Sequence, residues 1–317
     1  MPKITKLSSK HYVLQAVKDN GLMLQHASKE LQADREVVLE AVNDNGEALE
    51  YASEELKANR EIVLVAVNSF ADSLQYASDE LKNDREIVLT AVRKDGNALQ
   101  YASKKLRSDL EIVLEALKKG DGDTIDYVSD DFKNNREVVL EAAKTYRYLP
   151  GGCFALEYAS KDLRSDREIV MEAVRTDGNA LKYASKDLRS DREIVLEAIK
   201  PLKEGAFSSA ALKYASKDLR SDQDIVLQAV KFDGTALKYA SKDLRSDRNF
   251  MLKAMRSNET ALKYVSKDLR SDRDFLLEAL SNDINVLQYA SKTLQADPEF
   301  QEIQGPYELE DWLELIN

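Results

Sequence analysis

Read for its apolar positions, the chain repeats one phrase. Its clearest copy is Asp166-Arg-Glu-Ile-Val-Met-Glu-Ala-Val-Arg-Thr-Asp-Gly-Asn-Ala-Leu-Lys-Tyr-Ala-Ser-Lys-Asp-Leu-Arg-Ser190. On a helical wheel Ile169, Val170, Met171, Ala173 and Val174 cover a wide arc, and Glu168, Glu172 and Arg175 share the remaining strip. This predicts a first helix from Arg167 to Thr176, buried on more than one side. Ala180, Leu181, Ala184 and Leu188 then cluster as one face of a shorter second helix, from Asn179 to Leu188. On that helix Lys182 and Lys186 point away from the apolar face. Tyr183 falls on the flank, its ring packed and its hydroxyl wet.

Punctuation supports the same division. Asp or Asn precedes the first helix in every copy except the first, which has Ser9, and these residues accept hydrogen bonds from free helical N–H groups. Ser165-Asp-Arg-Glu168 also fits a capping box offset by one residue. Pro298 decides for the Asp, because proline is tolerated at the first helical position and so makes Asp297 the cap. Asp177-Gly178 closes the first helix, with Gly available for the left-handed conformation; Gly21, Gly46, Gly96 and Gly234 take the same place.

The aromatic of Tyr-Ala-Ser recurs at His26, Tyr51, Tyr76, Tyr101, Tyr127, Tyr158, Tyr183, Tyr214, Tyr239, Tyr264 and Tyr289, most often 25 residues apart. A fixed period in this range marks a stacked repeat architecture. The copies delimit eleven hairpins: 9–33, 34–58, 59–83, 84–108, 109–134, 135–165, 166–190, 191–221, 222–246, 247–271 and 272–296. A partial twelfth stops near Gly305-Pro306. Neither helix is long enough to be stable alone, so stacking must supply the stability. The expected fold is all-α: an α-solenoid of about eleven 25-residue repeats, forming one domain over residues 1–305. Leu309, Trp312, Leu313 and Ile316 have helical spacing, and 306–317 is expected to be an amphipathic helix capping the last repeat. Its rival reading is a peptide that docks on a partner.

Two repeats are six residues longer, and the extra residues fall between the two helices in both. The long turns are Thr145-Tyr-Arg-Tyr-Leu-Pro-Gly-Gly-Cys-Phe154 and Lys200-Pro-Leu-Lys-Glu-Gly-Ala-Phe-Ser-Ser209. Insertions in repeat proteins map to one face, often the binding face, although surface loops also accept them at little cost. Tyr146, Arg147, Tyr148, Phe154 and Phe207 are candidate interface anchors there.

Charge is unevenly distributed. Residues 1–150 carry 21 Lys+Arg against 27 Asp+Glu, residues 151–296 carry 25 against 23, and residues 297–317 carry none against seven. The exposed pair of the second helix is Glu50/Glu54, Gln75/Asp79 and Asp126/Asp130 early in the chain. Later it is Lys182/Lys186, Lys213/Lys217, Lys238/Lys242 and Lys263/Lys267, eight lysines in register. The first-helix strip stays acidic, as in Glu36/Glu40, Glu111/Glu115, Glu137/Glu141, Glu168/Glu172 and Glu193/Glu197. Any single such pair is a solvated face or a weak ion pair. The lysine register is the candidate partner-binding feature.

With 317 residues, 43% hydrophobic and 32% charged, five prolines and eleven glycines, the composition suits a helical globular chain. No apolar run reaches membrane-spanning length and no signal-peptide pattern opens the chain. A lone cysteine, Cys153, excludes an internal disulfide framework, so the expected compartment is the cytoplasm, or a host cytosol after export without a cleaved signal. His11 and His26 replace Glu and Tyr of the repeat and read as structural substitutions. Asp121-Gly-Asp-Thr-Ile-Asp126 fails the calcium-loop pattern, and no phosphate loop, nucleophile elbow or metal-ligand spacing appears. The expectation is no catalytic residue, no cofactor and no metal.

The unit Tyr-Ala-Ser-x-x-Leu-x-x-Asp-x-Glu-Ile/Val-Val-x-x-Ala-Val resembles the helical repeat known as domain of unknown function 4116, over residues 9–300. Departures are His26 for Tyr, Val128 and Val265 for Ala, and the two long turns. The resemblance implies tandem helical arrays without an assigned activity, and carries over no functional residue. It alone suggests host manipulation, were the source a bacterium or virus. Three functions remain in competition. The first is a protein-interaction scaffold using the second-helix face or the long turns. The second is a nucleic-acid-binding repeat using the lysines with Tyr183, Tyr214, Tyr239 and Tyr264, against which stand a net charge of −11 and the sameness of the reading positions. The third is an acidic mimic of nucleic acid. The acidic and basic stretches also predict weak head-to-tail self-association.

Overall fold

The structure is a computed structural model that describes residues 9–145, 155–201, 210–281 and 287–300. Among the described residues there is no β-strand. The chain divides into two compact units, residues 1–172 and 173–317, and the helix Arg167–Thr176 contains the division.

In the first unit the first helices are Lys10–Asp19, Arg35–Asp44, Arg60–Ser69, Arg85–Lys94, Leu110–Lys119 and Arg136–Ala143. In the second they are Arg192–Ala198, Gln223–Phe232, Arg248–Ser257 and Arg273–Leu280. Each begins where the capping residue predicts. Asp84 accepts the N–H groups of Glu86 and Ile87 at 3.0 and 3.1 Å, and Asp191 does the same for Glu193 and Ile194 at 2.9 and 3.1 Å. Ser9, alone among them in type, makes no side-chain cap. The predicted arc is the core: Ile169, Val170, Met171, Ala173 and Val174 are all buried, as are Ile87, Val88, Ala91 and Val92 of the equivalent helix. A buried Val, Leu or Ile contributes about 1.5–3 kcal/mol, and each repeat holds several.

The second element is not the helix that the spacing predicts. Gly178–Tyr183 is a 3-10 helix, Ala184 is extended at φ −63° and ψ 154°, and a second short turn follows at Leu188–Ser190. The same break recurs after Gly46–Tyr51, Gly96–Tyr101 and Gly234–Tyr239. The cause is a hydrogen bond that leaves the repeat. Ser53, Ser78 and Ser103 donate their backbone N–H to the carbonyls of Gln32, Lys57 and Lys82 in the preceding repeat, at 2.9, 3.0 and 2.9 Å. Ser216, Ser241, Ser266 and Ser291 do the same to Arg189, Arg220, Arg245 and Arg270. An α-helix would commit that N–H to the carbonyl four residues back. The serine hydroxyl then starts the second turn, accepting from the N–H three residues on, as Ser241 does from Leu244 at 3.3 Å. Ala180, Leu181 and Ala184 are buried as expected, whereas Leu188 is only half-buried.

The glycines also serve another purpose than the one expected. None of Gly21, Gly46, Gly96 and Gly234 adopts the left-handed conformation. Instead the chain leaves the first helix through an extended Asp or Asn, such as Asp95 at φ −145°, whose side chain caps the 3-10 helix. The glycine lies against its neighbour: a Cβ at Gly21 would overlap the carbonyl oxygen of Ala41, and one at Gly46 that of Ala66. Glycine is there because the next repeat leaves no room for a side chain. Tyr146, Arg147, Tyr148, Phe154 and Phe207, with Cys153 and the predicted cap 306–317, lie outside the described residues.

Candidate interaction surface

Where the first residue of a first helix is basic, it reaches forward to the start of the next, usually to its cap. Lys10 pairs with Asp34 and Glu36, both at 2.8 Å. Arg60 pairs with Asp84 at 3.0 Å and with Glu86, and Arg85 with Asp109 at 3.3 Å and with Glu111. In the second unit Arg248 reaches Asp272 at 3.6 Å and Glu278 at 2.8 Å. The ladder crosses both long turns undisturbed, through Arg136 to Asp166 at 2.8 Å and through Arg192 to Asp222. The inserted residues therefore leave the packing of the flanking repeats intact. Much of the acidic strip is thus committed to arginine and lysine. Exposed pairs of this kind contribute about 0–1 kcal/mol each, so the ladder fixes register more than stability.

It also sets a response to acid. Lys10 holds the Asp34 carboxyl below the usual carboxylate range, and Arg136 does so for Asp166, each against the opposing effect of burial. A carboxyl whose pKa is lower folded than unfolded stabilises the fold above its unfolded value, about 3.9, and that stability is lost as pH falls through the folded value. The urea midpoint is expected to be flat from neutrality to about pH 5 and to fall below about pH 4. Asp166→Asn keeps a capping side chain, as Asn135 shows, but removes the titration. Its midpoint should fall less steeply with acid than that of the wild type. Equal slopes would assign the acid sensitivity to other carboxyls.

The second segments carry the rest of the exposed charge. Glu50, Glu54, Asp79, Asp126 and Asp130 are exposed in the first unit, and Gln75 is half-buried. Nearby, burial pushes the Asp72 carboxyl up, helped by Asp95 and Glu47. In the second unit Lys182, Lys186, Lys213, Lys217, Lys238, Lys242, Lys263 and Lys267 are all exposed. They do not sit as pairs on a helix: the first lysine of each pair is on the turn before the extended Ala or Val, and the second on the turn after it. Three of the leading lysines fold onto the tyrosine beside them. Lys182 lies 4.3 Å from the ring centre of Tyr183, Lys213 5.5 Å from Tyr214 and Lys238 4.7 Å from Tyr239. Such cation–π contacts contribute about 0.5–1 kcal/mol at exposed sites and reduce the freedom of the lysine.

A set of residues not singled out by sequence lies among them. Arg189, Arg220, Arg245 and Arg270 follow the Leu of the second turn and are half-buried. In all four the Nε atom is buried without a hydrogen-bond partner. The sequence signal was present, since Leu-Arg-Ser recurs unchanged at one register in the five repeats from Leu163 to Ser271.

No group of His, Cys, Asp and Glu among the described residues is arranged to hold a metal ion. No helix among them is long and apolar enough to cross a membrane. The recurring capped helix, the broken second segment and the serine hydrogen bond between neighbours define a protein of short tandem helical repeats. The chain belongs to the family described as Domain of unknown function (DUF4116), whose model matches residues 9–57, 59–107, 84–121, 109–164, 152–189, 166–208, 191–245 and 247–295. No curated protein and no solved structure matches it.

Proposed function

We propose that this protein is a non-enzymatic scaffold whose repeats stack as an α-solenoid within each unit, and that it binds a partner protein on the second segments of residues 178–271. The observation that supports this most is the placement of the eight exposed lysines. Their positions have no part in capping, in the serine hydrogen bonds or in the core. Equivalent places in the first unit carry Glu50, Glu54, Gln75 and Asp79 on the same backbone. Charge there is free to vary, so a uniform basic sign in four repeats is a property of the surface and not a demand of the fold.

The test is affinity capture from the native cell, in parallel with a variant carrying all eight lysines as glutamate. A partner recovered with the wild type and lost on reversal supports the reading. A partner recovered equally with both overturns it and turns attention to the long turns. Because the positions are exposed, the variant is expected to fold, and its helical circular dichroism should match the wild type.

A further inference from the structure

We propose that Arg189, Arg220, Arg245 and Arg270 are a row of carboxylate receptors, and that the surface they line takes an extended acidic segment of a partner protein, one carboxylate per repeat. The proposal rests on the reading of this face as a protein-binding surface and names the chemistry that it recognises.

The argument begins with what the four guanidinium groups lack. None forms a hydrogen bond or ion pair with its side chain among the described residues. The contrast lies within the same chain, where Arg60, Arg85, Arg136, Arg192, Arg248 and Arg273 each have carboxylate partners. A buried donor without an acceptor is destabilising, and folded proteins contain few. Four at one register make a pattern.

The fold does not impose this. At the same place in several other repeats the side chain is satisfied internally. Gln32 donates to the carbonyl of Leu24 at 3.1 Å and Gln295 to that of Gln288 at 3.1 Å. Arg164 donates to the carbonyls of Ala159 and Glu157 at 3.0 and 2.7 Å, and Lys57 pairs with Glu54. Arg107 shares the unpartnered Nε, but its Nη1 reaches the carbonyl of Tyr127 at 3.5 Å. Only in the second unit does the position recur as an arginine with nothing to bind.

The four are also held ready. The backbone carbonyl of each accepts the serine N–H of the following repeat, at 2.9 Å for Arg189 and Arg220, 3.2 Å for Arg245 and 2.8 Å for Arg270. Half-buried side chains on a fixed backbone lose little further freedom on binding. A guanidinium presents parallel N–H donors that match a carboxylate, and the flanking exposed lysines add positive charge that steers an anion inward.

Spacing and chemistry favour a protein segment over a nucleic acid. Neighbouring repeats lie about 8–10 Å apart, the span of about three residues of extended chain. Asp187, Asp218, Asp243 and Asp268 are exposed beside the second lysines and oppose a continuous chain of phosphates more than carboxylates set three apart. Lysine already covers a face of Tyr183, Tyr214 and Tyr239, where stacking bases would bind.

The test uses the full chain and a fluorescent peptide, five repeats of Glu-Ser-Gly, read by anisotropy at low ionic strength. The comparisons are a peptide of the same composition with its glutamates contiguous, and a mixed-sequence single-stranded oligonucleotide. Spaced glutamates should bind at least tenfold more tightly than contiguous ones. The fourfold variant Arg189→Lys, Arg220→Lys, Arg245→Lys and Arg270→Lys, which keeps the charge and removes the fork, should lose at least tenfold. Single Arg220→Lys serves if the fourfold variant fails to fold, with a threefold loss expected. Unchanged peptide binding in the arginine variants overturns the proposal. If the lysine-reversed protein still loses its captured partner, the scaffold reading survives that result. Arginine-dependent binding of the oligonucleotide, without binding of either peptide, overturns both.

Discussion

Phe250→Ala is expected to lower the unfolding free energy by about 3–5 kcal/mol, the range for removing a large buried aromatic side chain. Phe250 is 1% exposed, in a first helix whose Asp247 cap accepts its N–H at 2.8 Å. The loss combines the transfer energy of the ring with a cavity that the flanking helices close only in part. The site has a built-in comparison. Most earlier repeats hold isoleucine at this register, including Ile225, whereas Phe250, Phe275 and Phe300 follow one another, all buried. The guanidinium of Arg248 lies 5.9 Å from the ring centre of Phe275, and that of Arg273 5.8 Å from Phe300. Phe250→Ile therefore keeps an apolar chain that the backbone accepts, and should cost less than Phe250→Ala. Tyr12→Ala, at a residue 70% exposed, should stay within about 0.5 kcal/mol of the wild type. Urea titration followed by circular dichroism checks the order. Equal costs for the alanine and isoleucine variants would mean that the core is not packed as described.

The two kinds of element differ in how far sequence reveals them. A first helix is a local object: its cap, apolar arc and length are all written within twelve residues, and the structure places Asp34, Asp84 and Asp191 where they predict. The second segment is not. Its apolar spacing over Ala180, Leu181, Ala184 and Leu188 fits a helix, but a hydrogen bond to another repeat breaks it at the Ala-Ser step. No single repeat contains the acceptor. The arginine ladder is nonlocal too, yet opposite charges 24 and 26 residues apart, as from Arg60 to Asp84 and Glu86, were there to be read. The lysines were found as a pattern of charge. The arginines beside them were missed because their distinguishing property, an N–H with no acceptor, exists only in three dimensions.

Glycine at the start of the second segment gives the other large effect. Gly96→Ala is expected to cost about 1–3 kcal/mol, as overpacking does elsewhere. The sign is not given by composition. Where the backbone accepts the new side chain, exchanging glycine for alanine restricts the unfolded chain and stabilises by about 0.4–1 kcal/mol. Gly96 does not occupy the left-handed region, so backbone conformation alone would place it in that favourable class. What decides is the neighbour: the added Cβ would overlap the carbonyl oxygen of Ala116 and the backbone nitrogen of Gly120, and would stand 2.7 Å from the Cα of Gly120. All three are backbone atoms of the next first helix and its end, where Gly120 N–H already bonds Ala116 O at 2.8 Å. Relief requires the repeats to separate, which would strain the hydrogen bond from Ser129 to Arg107 below. Ala71 shows the opposite case, an alanine at the same register, buried and accommodated. Ala71→Gly should therefore cost the unfolded-chain term, about 0.4–1 kcal/mol, and about 0.8 kcal/mol for the buried methyl, with no steric relief. Thermal midpoints that fall both for Gly96→Ala and for Ala71→Gly, opposite changes at one register, locate the constraint in the contact between repeats. A midpoint that rises would show that this contact yields and that the glycine answers no steric demand.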